Sequence, residues 1–348
     1  PVTLQIPTGT VVTYSWASPA YGTGSYSGIR YLWKSTIGLA TSESGQFTVP
    51  AGGGSVNATY TTQYQLTFKQ AGLPSSATGT VLTLTVGGSS SSYTVSGLPV
   101  QLWVPAGTSV SFSWASPVYD STPGIRYAWG STTDNFGASL GQSGSFSMPA
   151  QPATVQGNYG SAQGGGGVWY RLIMMANPSS GGSTSPAVGT YWYVAGTKVS
   201  ISASPNSSWT FNSWTGVGSG SYTGSNNPAS ITMNGPINET ANFYPTITFE
   251  ESGLPSGAPG TILTVSYSGN TMNYALSQLP VTLAVPPGTS VSYSWTNPVP
   301  VGPGTRYVLT SVSGPSSPVT VNAPTVVSAN YGEQYLVQTF ANPSSGGS

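Results

Sequence analysis

Three arginines recur at one position of a repeated pattern: Arg30, Arg126 and Arg306, each followed by a tyrosine. They are three of only seven basic side chains in 348 residues, so the pattern demands a guanidinium there. One role for it is to hold a ligand. The other is structural: a cation packed on neighbouring Tyr or Trp faces and bonded to loop carbonyls. Recurrence in every copy favours the structural role. The acids are as sparse. Glu250 and Glu251 are adjacent, and Asp120 and Asp134 lie in loops. A glycosidase needs two carboxyls facing each other across about 5–10 Å, and adjacent strand residues point to opposite faces. Lys69 and Gln70 replace the glutamate pair in another copy, so no acidic site repeats and we read solvated surface charge. Lys69 and Asn158 have the residue types of a self-formed isopeptide bond, but Glu250 stands in the place of Lys69 in the next copy and no catalytic acid recurs. Asn57-Ala-Thr, Asn206-Ser-Ser and Asn238-Glu-Thr are glycosylation sequons, and we expect N-linked glycans on at least one of them.

Composition narrows the chemistry further. There is no Cys and no His, which removes disulfides, thiolate metal sites and the usual general base. No catalytic, cofactor or metal site is expected, and we read the chain as no enzyme. Charged residues are 4% of the chain and the net charge is zero, against about 25% charged in an average domain. Nucleic acid and anionic membrane therefore find little to attract them. The 46 glycines and 29 prolines would suit a disordered chain, but aromatics at 11% and strict apolar alternation do not. No run of 18 apolar residues is present. Neither a signal peptide nor an initiator Met opens the chain, and we expect it to be processed or excerpted.

The elements that must position these residues emerge from repeats. Residues 9–19, 107–117 and 288–298 read GTVVTYSWASP, GTSVSFSWASP and GTSVSYSWTNP. Each is followed by GIRYLW, GIRYAW or GTRYVL, and then by a closing run, VNATY, VQGNY or VSANY. Two copies carry upstream strands, YQLTFKQAGLP and YPTITFEESGLP. A different, shorter unit opens VWYRLIMMANPSSGGS, and its opening returns as EQYLVQTFANPSSGGS at the end. The expected organisation is a partial long unit at 1–63, a long unit at 64–163, a short unit at 164–243, a long unit at 244–332 and the start of a second short unit at 333–348. This order suggests an excerpt of a longer alternating array. GGGG at 164–167 is a flexible linker, whereas NFYPTITF and NYGEQYLV pass tightly between units and favour a stiff rod.

Val110, Phe112 and Trp114 alternate with Ser111 and Ser113; Val12, Tyr14 and Trp16, and Val291, Tyr293 and Trp295, repeat the pattern. Period two with one apolar row is the signature of a half-buried strand. The recurring tryptophans Trp16, Trp114 and Trp295 are thus structural. Turn signals every 8–12 residues predict all-β, immunoglobulin-like sandwiches of short antiparallel strands, alternating with a smaller β unit. In the latter, Val199, Ile201 and Ala203 face the core and Phe211 and Trp214 cover one end.

The short unit resembles the divergent internalin B-type repeat of bacterial and archaeal surface proteins, on the residues ANPSSGG, AGTKVSISASPNSSWTFNSWTG and NPASITMNGPINETANF. The long unit resembles repeats of large secreted archaeal proteins, including those appended to thermopsin-like proteases, on TFKQAGLPSSATGT and TFEESGLPSG. These resemblances imply an extracellular, cell-surface protein that is structural or adhesive. Few carboxylates leave little to protonate on acidification, so acidic and hot surroundings suit the chain. An uncharged surface is poorly protected from self-association. We expect a filament, stalk or surface-layer component whose partners are copies of itself or other surface proteins. The alternative is an adhesin or carbohydrate-binding array that tethers a surface enzyme. Strand addition through residues 333–342 would exploit open sheet edges.

Overall fold

A computed structural model describes residues 1–160 and 167–339. Gly164–Gly166 of the expected linker and the terminal ANPSSGGS lie outside the described residues. The fold is all-β, with three single-turn 3-10 segments at Gly24–Tyr26, Val95–Gly97 and Leu276–Gln278. The chain divides into two compact units. One comprises Pro1–Tyr170 with Tyr193–Ala195, the other Arg171–Trp192 with Gly196–Ser348.

In the first unit, the signature strand Ser109–Trp114 lies between Ser143–Ser147 and Leu82–Val86, and Ser89–Tyr93 forms the edge. Its burial alternates strictly, with Val110, Phe112 and Trp114 inward and the serines outward. The facing sheet runs Val100–Pro105, Val56–Ala71, Ala153–Tyr159, Ile125–Asp134 and Val118–Asp120 in spatial order. Leu66, Phe68, Leu82, Leu84, Val110 and Val155 fill the space between the sheets, with Trp114 fully buried. Residues 9–63 build a smaller version. There Val11–Ser15 pairs only with Ser44–Thr48, and Trp16 is half-buried.

In the second unit, the same long-unit order recurs. Thr289–Trp295 lies between Leu263–Tyr267 and Val319–Val321, with Asn270–Tyr274 at the edge. The short unit sets a three-stranded sheet, Gly182–Ser185, Lys198–Pro205 and Ala229–Thr232, against a second layer. That layer is Arg171–Asn177, Ile237–Phe243 and Trp209–Val217. Val199, Ile201, Ala203 and Trp214 are buried there, with Leu172, Met174 and Phe243. A bulge between Phe211 and Ser213 puts Phe211 and Trp214 on one face despite their odd spacing, 5.7 Å apart.

One feature departs from the expected antiparallel sandwich. In both full long units the first and last strands pair in parallel: Leu66 with Ala153 through Ala71 with Asn158, and Ile247 with Thr325 through Ser252 with Asn330. The short unit does the same, Leu172 with Ile237. A unit whose entry and exit strands are neighbours and run in one direction passes the chain onward without a return loop.

The expected boundaries at 63/64, 243/244 and 332/333 fall inside continuous strands, Val56–Ala71, Ile237–Ser252 and Thr325–Tyr335. The first two strands have 16 residues each. The half Val56–Tyr64 pairs with Ile29–Gly38 of the partial unit, and the half from Leu66 onward pairs with Ala153–Asn158 of the next. Likewise Ile237–Pro245 belongs to the short unit's sheet, and Thr246–Ser252 to that of the following long unit.

Candidate functional site: the arginine-marked junction strands

The recurring arginines sit on strands that pair with a junction strand. Arg30 is opposite Gln63, Arg126 opposite Trp169 and Arg306 opposite Gln334. Each partner stands where the chain passes from one repeat to the next. Arg30 Nε donates to Gln63 Oε1 at 2.7 Å, and Arg306 Nε donates to Gln334 Oε1 at 3.1 Å. The bond thus goes to a strand amide side chain, not to the loop carbonyls suggested by the sequence. Arg30 also lies 5.0 Å from the ring centre of Trp103, a residue of the following unit, and Arg126 lies 5.2 Å from that of Trp169. Such stacking is worth about 0.5–1 kcal/mol at partly exposed sites. Arg30 and Arg126 are half-buried, whereas Arg306 is exposed.

A bulge follows each arginine at one repeat position, between Trp33 and Ser35, Trp129 and Ser131, and Leu309 and Ser311. The backbone N–H of Trp33 donates to Ser18 Oγ at 3.0 Å, that of Trp129 to Ser116 Oγ at 3.1 Å, and that of Leu309 to Asn297 Oδ1 at 3.0 Å. The polar residue of the SWASP or SWTNP signature thus serves as acceptor for the bulged strand. Sequence reasoning missed this coupling. Its signal is the joint recurrence of the two motifs, with Ser changing to Asn, another acceptor. Tyr159 and Tyr331 close the same corner by donating to the carbonyls of Ala115 and Thr296, each at 2.9 Å.

The tryptophans of the signature are core residues. Trp114 is 6.1 Å from Phe68 and Trp295 is 6.4 Å from Phe249, ring centre to ring centre, while Trp16 packs on Tyr14. The indole N–H of all three is buried without an acceptor.

The acids are spent on local structure. Asp120 accepts from Ser76 Oγ at 2.6 Å, from the Thr122 N–H and from Tyr127 Oη. Chiefly the Ser76 and Thr122 bonds hold its pKa at about 2. Asp134 accepts from the Phe136 and Ala138 N–H groups. Glu250 is exposed and accepts from Ser328 Oγ, whereas Glu251 is half-buried, and burial raises its carboxyl. Lys69 is exposed opposite Gln156, and the Asn158 amide donates to Ser131. Among the described residues no group of three acidic side chains is gathered to hold a metal.

Glu239 is the exception that sequence reasoning passed over. It is 0% exposed. One carboxylate oxygen accepts from the Tyr222 N–H at 2.7 Å and the other has no partner. Desolvation pushes its pKa up. Its position was legible: Ile237, Ala241 and Phe243 alternate inward on the same strand, and Glu239 falls in that row.

The sequon residues Asn57, Asn206 and Asn238 are all exposed. Asn206 lies in a turn, where its side chain donates to the Ser180 carbonyl. Asn57 and Asn238 lie on junction strands.

Residues 173–247 match the family described as the Divergent InlB B-repeat domain, which corresponds to the short unit. No curated protein matches the chain in sequence. Among solved structures, the Bacillus anthracis TIE protein superposes with a TM-score of 0.24 at 8% identity, over 88% of this chain and 59% of that one. The pilus adhesin SpaC from Lactobacillus rhamnosus GG, in an open conformation, does so with 0.21 at 9% identity, over 89% and 48%. The chain thus spans about three fifths of the first and about half of the second.

Proposed function

We propose that this chain is a load-bearing, non-enzymatic segment of an extracellular surface protein, a repeat array in a filament, stalk or surface layer. The observation that carries the reading is the shared junction strand. A single 16-residue strand serves two neighbouring units at Val56–Ala71 and again at Ile237–Ser252. Tension on such a joint is borne by ladder hydrogen bonds along both halves, with no loop to extend. The match of 173–247 to a repeat family supports the array, and the motifs TFKQAGLPSS and TFEESGLPSG support kinship of the long units with repeats of large secreted archaeal proteins. Four per cent charged residues suit an acidic exterior and association between copies, and exposed Asn57, Asn206 and Asn238 suit N-linked glycans.

The test is antibody labelling of intact producing cells, combined with electron microscopy of the shed material. Surface labelling of regular fibres or a lattice is the expected result. Labelling only after lysis would overturn the surface role. Isolated rods that bind a glycan array would favour the adhesin reading, in which exposed Tyr21, Tyr26 and Tyr119 are the aromatic surfaces for sugar rings.

A further inference from the structure

The short unit carries a flap over a strand edge. Trp209–Val217 has Ile237–Ser252 as its one ladder neighbour among the described residues, so its other edge has main-chain groups to satisfy. The segment Gly218–Gly224 folds back over that edge. The Trp214 N–H donates to the Gly224 carbonyl at 2.8 Å, and the Gly224 N–H donates to the Trp214 carbonyl at 3.2 Å. One step along the strand, the Gly216 N–H donates to Thr223 Oγ1 at 3.1 Å. The flap also reaches the facing sheet, where the Thr232 N–H donates to the Gly220 carbonyl at 2.9 Å.

The Glu239 carboxyl lies under this flap. Gly216 is its partner across the ladder, and its Oε1 accepts the Tyr222 N–H at 2.7 Å. A Cβ on Gly216 would stand 2.6 Å from Oε1 and 2.5 Å from the Tyr222 carbonyl oxygen, so glycine there leaves room for the carboxyl between strand and flap. Oε2 is buried without a partner. The surrounding elements bring no cation to it. Arg171–Asn177 turns Leu172 and Met174 inward, and its one charged group, Arg171, is level with Pro236, three residues before Glu239. In the facing sheet Lys198 is exposed, while Trp209–Val217, Gly182–Ser185 and Ala229–Thr232 carry no titratable side chain. From the flap comes Tyr222, whose hydroxyl accepts the Asn226 N–H. On the same strand as Glu239, Tyr244 stands five residues on and Glu250 and Glu251 lie in the next unit's half.

A neutral carboxyl suits this site. A carboxylate would leave a charge buried beside a single N–H, which is far more costly. We propose that Glu239 is a pH latch: protonated, it holds Gly218–Gly224 shut over the edge of Trp209–Val217, and on ionisation it frees the flap and bares that edge. The latch opens as pH rises, in keeping with the direction in which burial displaces the group. A bared strand edge accepts a further strand, so acid keeps the short unit closed to such pairing. The latch goes beyond the surface-array reading and stands or falls independently of it.

The test is native-state amide exchange of the full chain at pH 4 and pH 8, with protection corrected for the intrinsic rate at each pH. The amides of Trp214, Gly216, Tyr222 and Gly224 are expected to lose at least tenfold in protection at pH 8. Those of Val199–Ile201, laddered to Ala229–Ile231, are expected to keep theirs. Glu239→Gln is expected to hold the flap amides protected at both pH values. Equal protection of the flap at both pH values in the parent overturns the latch. So does a loss that spreads to Val199–Ile201, which would mean that the unit opens as a whole, and so does a loss in Glu239→Gln that matches the parent's. Should Glu239→Gln fail to fold, the comparison of flap with sheet in the parent decides.

Discussion

A hydroxyl at position 116 holds the bulge that follows the recurring arginine. Ser116 Oγ accepts the Trp129 N–H at 3.1 Å. Ser116→Ala therefore removes the acceptor of a partly water-accessible backbone N–H, at a cost of about 0.5–1 kcal/mol. Ser116→Asn restores an acceptor, since Asn297 Oδ1 does the same work for Leu309. Urea unfolding midpoints check the order: wild type and Ser116→Asn close together, Ser116→Ala lower. Glu239 is the second residue whose chemistry reaches beyond itself. Burial raises its pKa in the folded state. Such a group contributes stability that is complete below its unfolded value of 4.5 and is lost as pH rises through the folded one. Glu239→Gln keeps the shape and the bond from Tyr222 but cannot ionise. The variant is expected to be more stable than wild type at pH 8 and no more stable at pH 3, by denaturant titration. Identical pH dependence of the two proteins would contradict the assignment.

At the scale of elements, most strands were legible and their joints were not. Val110, Phe112 and Trp114 declare their face through alternation alone, and period two needs no tertiary knowledge. The parallel pairing of Leu66–Ala71 with Ala153–Asn158 leaves no local trace, because backbone bonds between strands 87 residues apart impose no residue type. The arginines were legible as structural residues but not as junction markers, since Trp103, which covers Arg30, and Gln334, which bonds Arg306, come from the neighbouring repeat. The Ser116 bond was hidden for another reason: it joins two motifs 13 residues apart across a bulge, and spacing alone does not show which strand bulges. If the junction strand couples two units, an insertion that interrupts it should uncouple them. Two glycines inserted after Gln63 break the ladder between the halves that pair with Ile29–Gly38 and with Val100–Pro105. The partial unit then melts at a lower temperature than the sandwich built around Trp114, giving two calorimetric transitions in the first compact unit where the parent shows one.

For the whole molecule, the scarcity of charge sets how it meets pH. Seven carboxylates in 348 residues leave acid little purchase. Asp120, held at about 2, contributes stability that is lost as pH falls from 3.8 towards that value. Glu239 and Glu251, both raised by burial, act in the opposite sense and favour the fold in acid. The alkaline side is less protected. Burial raises Tyr127 and Tyr331 to about 12 and Tyr159 further. Their contribution is complete below the ordinary value of 10 and is lost as pH rises through the folded values. Unfolding midpoints are thus expected to hold down to pH 3, to be modestly lower at pH 8 than at pH 4 through Glu239 and Glu251, and to fall further above pH 10; a steep loss below pH 4 would contradict this account.

The claim beneath the rest is that one strand belongs to two units at once, and native-state amide hydrogen exchange along Val56–Ala71 addresses it directly. The account predicts slow exchange that continues without a break from Tyr60 through Leu66, because Thr61–Tyr64 is laddered to Ile29–Leu32 and Gln63–Phe68 to Val100–Pro105. Fast exchange confined to Thr61–Gln65, between two protected halves, would mean separate units joined by a linker.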